Sequence, residues 1–449
     1  MDTSQSQPGR RRPALSGGSA GPLSRRSVLK GGALAILGAG VLPLSACSGG
    51  SATSGGGAGS ATSTLWYWGG GMSDKVVAAA VEHFKATTTI KPSIIGGDFK
   101  QKLQTSLAGG SFIPTVTGIK GEDMPYFRSV TAKFVDLNTL GAAAIASKGL
   151  AWKWKEGQDL SGKQIGYPID IGPTAMFYRS DFFEKAGLPT DPTAVGEAVK
   201  TWDSFYELGK ELHAKVPTTY PVSSLGSVWA IVLGQTQERF VSKDNAFTGD
   251  SDELHQAWLT TCRAQQLGIN AASSTSFNAA LAQGKIGAEF GAAWHALDLS
   301  DAAPQTSGMW RVANNPVRPT NFGGSFLAIP TATKDTKLAF EIIQWLLSTD
   351  NESKGFTDAA IFPADPAAWT TPALTGGTAF FGGQKTIDIF GPAAKIVPSQ
   401  YTAPSDAAVA GPYGDELTKV ETAGKDPEAA WKDAVAAARE VAKRQGVTA

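Results

Sequence analysis

Cysteine is nearly missing from this chain. Two residues, Cys47 and Cys262, occur among 449, so no network of disulfides supports the fold. Histidine is scarce as well: four residues, at positions 83, 213, 255 and 295, are scattered and mostly fall on the polar sides of helical patterns. No HExxH, CxxC or DxDxDG pattern is present, so no metal site is supported and no cofactor is implied. A P-loop is absent, and the one GxSxG match, Gly17 to Gly21, lies in a basic leader ahead of any folding pattern. Charge of either sign is not in excess either, with 40 basic and 40 acidic residues.

The leader is what the chain does have. Arg10, Arg11 and Arg12 are followed by "SRRSVLK", with Arg25 and Arg26 paired, then by an apolar run from Gly31 to Ala46. A charged region, a short hydrophobic region and small residues are the order of a bacterial export signal. Paired arginines point to the twin-arginine route. The run is too short and glycine-rich to span a membrane, which takes ~20 apolar residues. Leu44-Ser45-Ala46-Cys47 resembles a lipobox, in which the cysteine is acylated and becomes the new N-terminus. An ordinary cleaved signal with Cys47 incidental is the alternative. Residues 1–46 are thus expected to be a signal peptide, and the serine- and glycine-rich residues 47–63 a flexible tether. Six basic residues and one acidic residue lie in 1–46, so the remainder carries a net charge of about −5. A mildly acidic surface argues against nucleic acid as a partner. Cys262, in "ELHQAWLTTCRAQQLG", reads as a small buried hydrophobe in a helix.

The remaining chain alternates short β-like runs with amphipathic helices. "TLWYW" is a strand. Ser73 caps a helix with Val77, Ala80, Val81 and Phe84 at i, i+3, i+4 and i+7. "IKPSII" is a second strand, "DFKQKLQTSLAGG" a second helix, and "IPTVTGI" a third strand followed by "KGED". This order predicts a parallel sheet with helices on both faces, where ligands gather at the carboxyl ends of strands. Further on, Thr201 caps "WDSFYELGKELHAK", and Asp426 with Pro427 at the first helical position opens the last helix. "LAWKWK" reads as a loop or edge segment, and "GKIGAEFGAAW" as a strand ending at Trp294.

Catalysis finds little support. A glycosidase needs two carboxylates about a sugar, and among Asp98, Glu122, Asp123, Asp170 and Glu289 no spacing singles out a pair. What stands out is tryptophan, twelve in all. Indole rings stack on the apolar faces of sugars while carboxylates take the hydroxyls, which is the anatomy of a small-molecule site. Trp202, Trp258, Trp345 and Trp431 read as helix-packing residues. Trp152 and Trp154 fit a site and a surface strand equally. Trp66, Trp68, Trp229 and Trp294, at strand ends or in loops, are the aromatic candidates. Asp98, Glu122, Asp123 and Asp170, at or past strand ends, are the polar ones.

Four segments resemble, in order and spacing, the extracellular solute-binding proteins of bacterial ABC importers, in the sugar-binding family related to maltose-binding protein. They are "GKQIGYPIDIGPTAMFYRSDFFEKAGLP…TWDSFYEL", "GKIGAEFGAAW", "GGSFLAIPTATKDTKLAFEIIQWLLS" and "DPEAAWKDAVAAA". The resemblance covers about residues 64–445. It implies an α/β clamshell of two lobes, a periplasmic-binding-protein-like fold with the ligand cleft between them. The lobes would be built from 64–170 and 319–374 on one side and from 175–314 and 375–449 on the other. Crossings are implied near Asp170–Thr174, near Asn314–Pro319 and near residue 375. By position, Trp294 is similar to the family's second-lobe stacking residue, and the aromatics at 66–68 with the loop at 120–123 to its first-lobe wall. Two positions depart from the family pattern: Pro114-Thr115 stands where Pro-Asp is usual, and Gly172 where maltose-binding protein has a ligand-binding acid. The partners implied are a sugar, the permease subunits and, through lipid on Cys47, the outer face of the cell membrane, with the protein a monomer. A receptor for a polyamine or other cationic solute, or a surface glycoside hydrolase, remain the alternatives.

Overall fold

A computed structural model describes residues 61–271 and 276–448. The export signal, Cys47 and most of the tether lie outside the described residues. Two sheets organise the rest. The first has the order β2-β1-β3-β8-β4 and the second β6-β5-β7, with β1 at Ala61–Tyr67, β2 at Thr88–Ile94, β3 at Val116–Ile119, β4 at Tyr167–Pro168, β5 at Thr174–Arg179, β6 at Ala288–Ala292, β7 at Trp310–Ala313 and β8 at Phe326–Ala328.

The expected parallel arrangement holds for β1, β2 and β3, while β8 joins β3 and β4 antiparallel. Alternation along β1 divides its aromatics between two faces. Leu65 and Tyr67 pack with Val77, Ala80 and Phe84 of the helix Asp74–Phe84 and with Ile342 and Leu346 of the helix Thr336–Leu346. Trp66 packs on the other face with Phe99, Leu103 and Leu107 of the helix Phe99–Gly109. The first helix starts where its sequence says it should, because the Ser73 side chain accepts a hydrogen bond from the Val76 amide. The caps at Thr201 and Asp426 form in the same way.

In the second sheet, β5 lies between β6 and β7, antiparallel to both. One face carries Met176 and Tyr178 against Phe205, Trp229, Trp258, Tyr413 and Trp431. The other carries Ala175 and Phe177 against Trp310, Phe362, Trp369 and Phe390. Cys262 is fully buried in the first of these layers, and burial pushes its thiol up to about 12. It is the small hydrophobe its sequence suggested.

Three crossing segments join the lobes and pair with one another. The Ile171 amide donates to Phe362 O at 3.0 Å, and the Thr174 amide to Thr320 O at 3.0 Å. The Phe322 amide donates to Gly172 O at 2.8 Å. Asp170–Thr174 is therefore the middle crossing, flanked by 320–322 and 362–363. Phe362 and Ala364 already belong to the second lobe's cluster, so the third crossing comes earlier than residue 375. Its signal was hidden because the helix Thr349–Ala359 simply ends in a left-handed residue, Ala360, and leads across.

Gly172 sits against this pairing. An added Cβ there would lie 1.8 Å from Phe322 O, so no side chain fits, and an acid such as maltose-binding protein has there is excluded by the close approach of two crossing backbones. "LAWKWK" is a helix, Ala151–Glu156, and not a loop. It lies at the seam: Trp154 packs in the first lobe and Trp152 in the second, where its indole N–H donates to Ala394 O at 2.8 Å.

Candidate functional site

The stretch "WYWGGG" explains the first-lobe wall. After β1 the chain turns, with the Gly71 amide bonded to Trp68 O at 2.9 Å, and the Trp68 ring folds back over bare backbone. A Cβ on Gly71 would stand 2.5 Å from that ring, and one on Gly118 of β3 2.6 Å from it. Glycine at both positions is what lets an indole lie flat on the strand ends. Phe99 meets the ring edge-on at 5.2 Å, and the Lys120 ammonium lies 5.5 Å from its centre. Trp68 stays half-buried, whereas Trp66 is buried and Tyr67 points into the lobe core.

The loop 120–123 abuts the second crossing segment. Gly121 lies against the carbonyls of Gly323 and Gly324, where a Cβ would come within 2.1 Å of Gly324 O. Glu122 is exposed there, and Asp123 is paired with Lys100 at 3.2 Å. Asp170, half-buried in the first crossing, accepts a 2.7 Å hydrogen bond from the Ser325 amide. Burial raises its carboxyl above the ordinary range; Lys153 pulls it down and Glu122 pushes it up further. Two candidates read separately from sequence, Glu122 and Asp170, therefore share one electrostatic neighbourhood.

Sequence reasoning missed the residues that extend it. Lys153 is almost fully buried, with its ammonium 3.0 Å from Glu156 and 3.9 Å from the centre of the Phe326 ring. Burial lowers the Arg128 guanidinium from its ordinary value, and Glu156 and then Tyr401 oppose that shift. Arg128 donates to Thr402 O at 3.0 Å, and its charge opposes the burial that raises the Tyr401 phenol. Glu122, Asp170, Lys153, Glu156, Arg128 and Tyr401 are thus successive electrostatic neighbours, with Lys153 and Glu156 in direct contact. Only the pairing of an aromatic with a basic residue in "WKWK" hinted at them.

Trp294 follows β6 and stands immediately before the helix His295–Ala302. At 38% exposure it is the exposed member of the twelve tryptophans. Its neighbour His295 turns inward, with Nδ1 3.0 Å from Asp298 and the ring beside Phe177. Glu289, a carboxylate candidate, is buried in β6 near His295, Ser223 and Ser227. Burial holds its carboxyl above the ordinary range, so it is packed inside the second lobe.

Two candidates have structural roles of their own. Trp229 is not at a strand end or in a loop. It lies in the helix Leu225–Gln235, stacked on Tyr413 at 6.5 Å and edge-on to Trp258 at 5.9 Å, deep in the core. The apolar run "VWAIVLG" is a helix buried nearly all round, which periodicity alone does not separate from a strand end. Asp98 is the N-cap of the helix Phe99–Gly109, accepting from the Gln101 amide at 2.9 Å. Its carboxylate satisfies a helix terminus in open solvent.

The sequence model for bacterial extracellular solute-binding proteins matches residues 54–353. A lactose-binding protein of Rhizobium radiobacter is 26% identical over 308 residues, covering 64% of this chain and 70% of its own. The crystal structure of an extracellular solute-binding protein of family 1 superposes with a TM-score of 0.79 at 26% identity, covering 85% of this chain and 100% of that one. The galacto-N-biose-/lacto-N-biose I-binding protein of Bifidobacterium longum superposes at 0.72 with 21% identity, over 87% and 99% of the two chains. Two α/β lobes, three paired crossings and a match over most of the described chain lead to one conclusion: the chain belongs to the bacterial extracellular solute-binding protein family.

Proposed function

We propose that this protein captures a sugar, a mono- or oligosaccharide, in the cleft between its lobes and delivers it to the membrane subunits of an ABC importer without altering it. The observation that carries the reading is Trp294. A large apolar ring is left 38% exposed at the end of a buried strand in a chain that buries or half-buries every other indole, and an unburied indole there gives a sugar's C–H face a platform. On the first-lobe side we assign Trp68 as the facing aromatic. Glu122, Asp170 and Arg128 are assigned as hydrogen-bonding groups for hydroxyls, with Asp123 and Trp66 supporting the loop and strand that hold them. The similarity to a lactose-binding protein supports the same ligand class.

The lobes in this reading comprise 64–170 with 319–361, and 175–314 with 362–448. Cys47 carries lipid and holds the protein, as a monomer, on the outer face of the membrane after twin-arginine export. Calorimetric titration with neutral sugars, amino sugars and polyamines tests the proposal. Saturable binding of a neutral sugar is the expected result. Binding of polyamines alone assigns the cleft to cationic solutes, and cleavage of a bound oligosaccharide, followed by chromatography, makes the protein a hydrolase.

A further inference from the structure

A cavity of about 230 Å³ opens among the helix Ala151–Glu156, β4, the end of the helix Thr336–Leu346 and the third crossing. None of the cleft aromatics lines it. Its walls are apolar and aromatic: Leu150, Trp154, Tyr167 and Leu347. Trp154 and Tyr167 meet edge-on, with ring centres 5.5 Å apart. At its polar end stand two carboxyl groups, Glu352 and Asp365. Glu352 is 6% exposed and accepts the Asp365 amide at 2.8 Å. Asp365 accepts the Thr349 hydroxyl at 2.5 Å and the Ala367 amide at 2.9 Å.

Among the described residues, neither Glu352 nor Asp365 is held in an ion pair; both accept from neutral donors. Lys153 borders the cavity, but its ammonium is bonded to Glu156 and lies against Phe326. Lys148 is exposed at the mouth. Burial, and then Glu352 and Asp365, push the Tyr167 phenol up to about 12, so its hydroxyl sits in their field. Glu352 itself is held well above the ordinary range, mainly by burial, with Asp365 and Asp170 adding to it. Buried acids flanked by aromatic faces favour a cation with an apolar body, since an ammonium brought beside them stabilises their ionised form and the rings attract it as well. The volume is below the usual range for drug-sized ligands, ~300–1,000 Å³, and suits a molecule of one ring.

We propose that the cavity is a second ligand site, separate from the cleft, that takes a compact organic cation: a primary ammonium on an apolar body the size of one aromatic ring. The proposal does not depend on what the cleft binds. Benzylammonium is the probe, titrated calorimetrically into the folded protein beside benzyl alcohol and benzoate. One saturable site with a Kd in the millimolar range or tighter is expected, with benzyl alcohol at least tenfold weaker and benzoate showing no binding. Glu352→Gln, which removes the group that can ionise against the ammonium and keeps the volume, weakens benzylammonium at least tenfold. Gly149→Trp does the same by adding bulk beside the cavity. Gly149 has an ordinary φ of −100°, and the nearest atom to an added Cβ is 3.9 Å away, so this variant stands in should Glu352→Gln not fold. Trp294→Ala leaves benzylammonium binding unchanged. Absence of saturable binding, equal affinity for benzyl alcohol, full binding by Gly149→Trp, or loss of binding in Trp294→Ala would each overturn the proposal.

Discussion

The guanidinium of Arg128 donates a 3.0 Å hydrogen bond to the backbone carbonyl of Thr402. Arg128 stands on a first-lobe turn beside Phe127, and Thr402 on a loop whose neighbour Ala403 is packed in the second lobe. The bond therefore spans the lobes. A hydrogen bond with one charged partner is worth about 1.5–3 kcal/mol, enough to bias a hinge. Arg128→Ala should weaken ligand affinity by roughly tenfold. It should also leave a larger radius of gyration at saturation, read by small-angle scattering. Unchanged affinity and radius would show that the contact does not hold the lobes together.

Trp294→Ala should weaken sugar binding by about 1–3 kcal/mol, roughly tenfold to a hundredfold in Kd. Because the ring is exposed, the ligand-free fold should lose less than ~1 kcal/mol. Calorimetry and thermal unfolding of the same variant check both. A large drop in the melting temperature of the ligand-free protein, or unaltered affinity, would return Trp294 to a structural role.

Trp229→Ala should show the reverse. Removing a core indole packed on Trp258 and Tyr413 should cost about 3–5 kcal/mol in denaturant unfolding. Affinity of the folded fraction should stay within about twofold. Loss of affinity without loss of stability would put Trp229 back at the cleft.

Asp406 gives a pH dependence. Burial pushes its carboxyl from 3.8 up to about 6, although Arg239 and the amides of Phe240 and Ala403 pull it down. Between these values the folded chain keeps a proton that the unfolded chain has released. The contribution to stability is thus complete below about pH 4 and is lost as pH rises through about 6, on the order of 3 kcal/mol in all. Denaturant unfolding of the native protein and of Asp406→Asn at pH 4, 5, 6 and 7 should show the native protein losing ground to the variant by about that amount. A constant difference across the range would contradict the assignment.

Cys47→Ser should release protein from the membrane or leave the precursor uncleaved, since stable anchoring needs the acyl chains. Fractionation of cells expressing the variant decides the matter, and stable membrane association would refute lipidation at this position.

Local patterns were enough for the elements that local physics sets. Ser73, Thr201 and Asp426 announced their helices because a cap bonds amides only a few residues away. The parallel order of β1, β2 and β3 followed from strands alternating with helices, and the division of Trp66 and Tyr67 between two faces followed from a strand's period of two. Cys262 read correctly because a small apolar residue on a helix's inner face needs no distant partner. The roles that depend on distant partners were not legible. Trp229 reads the same at a cleft or in a core until Tyr413, 184 positions away, is brought against it. Asp98 reads the same as a ligand group or as a helix cap, and its bond from the Gln101 amide appears only in the folded chain. The electrostatic neighbours from Glu122 to Tyr401 come from segments far apart in the chain. Gly172 shows why: its side chain is excluded by Phe322, a residue 150 positions later whose carbonyl occupies the space. Sequence determined what each segment could become, since propensity, caps and periodicity act within a few residues. Tertiary structure decided which of those groups are buried, paired or left exposed, because burial, charge and close approach depend on neighbours the chain supplies from far away.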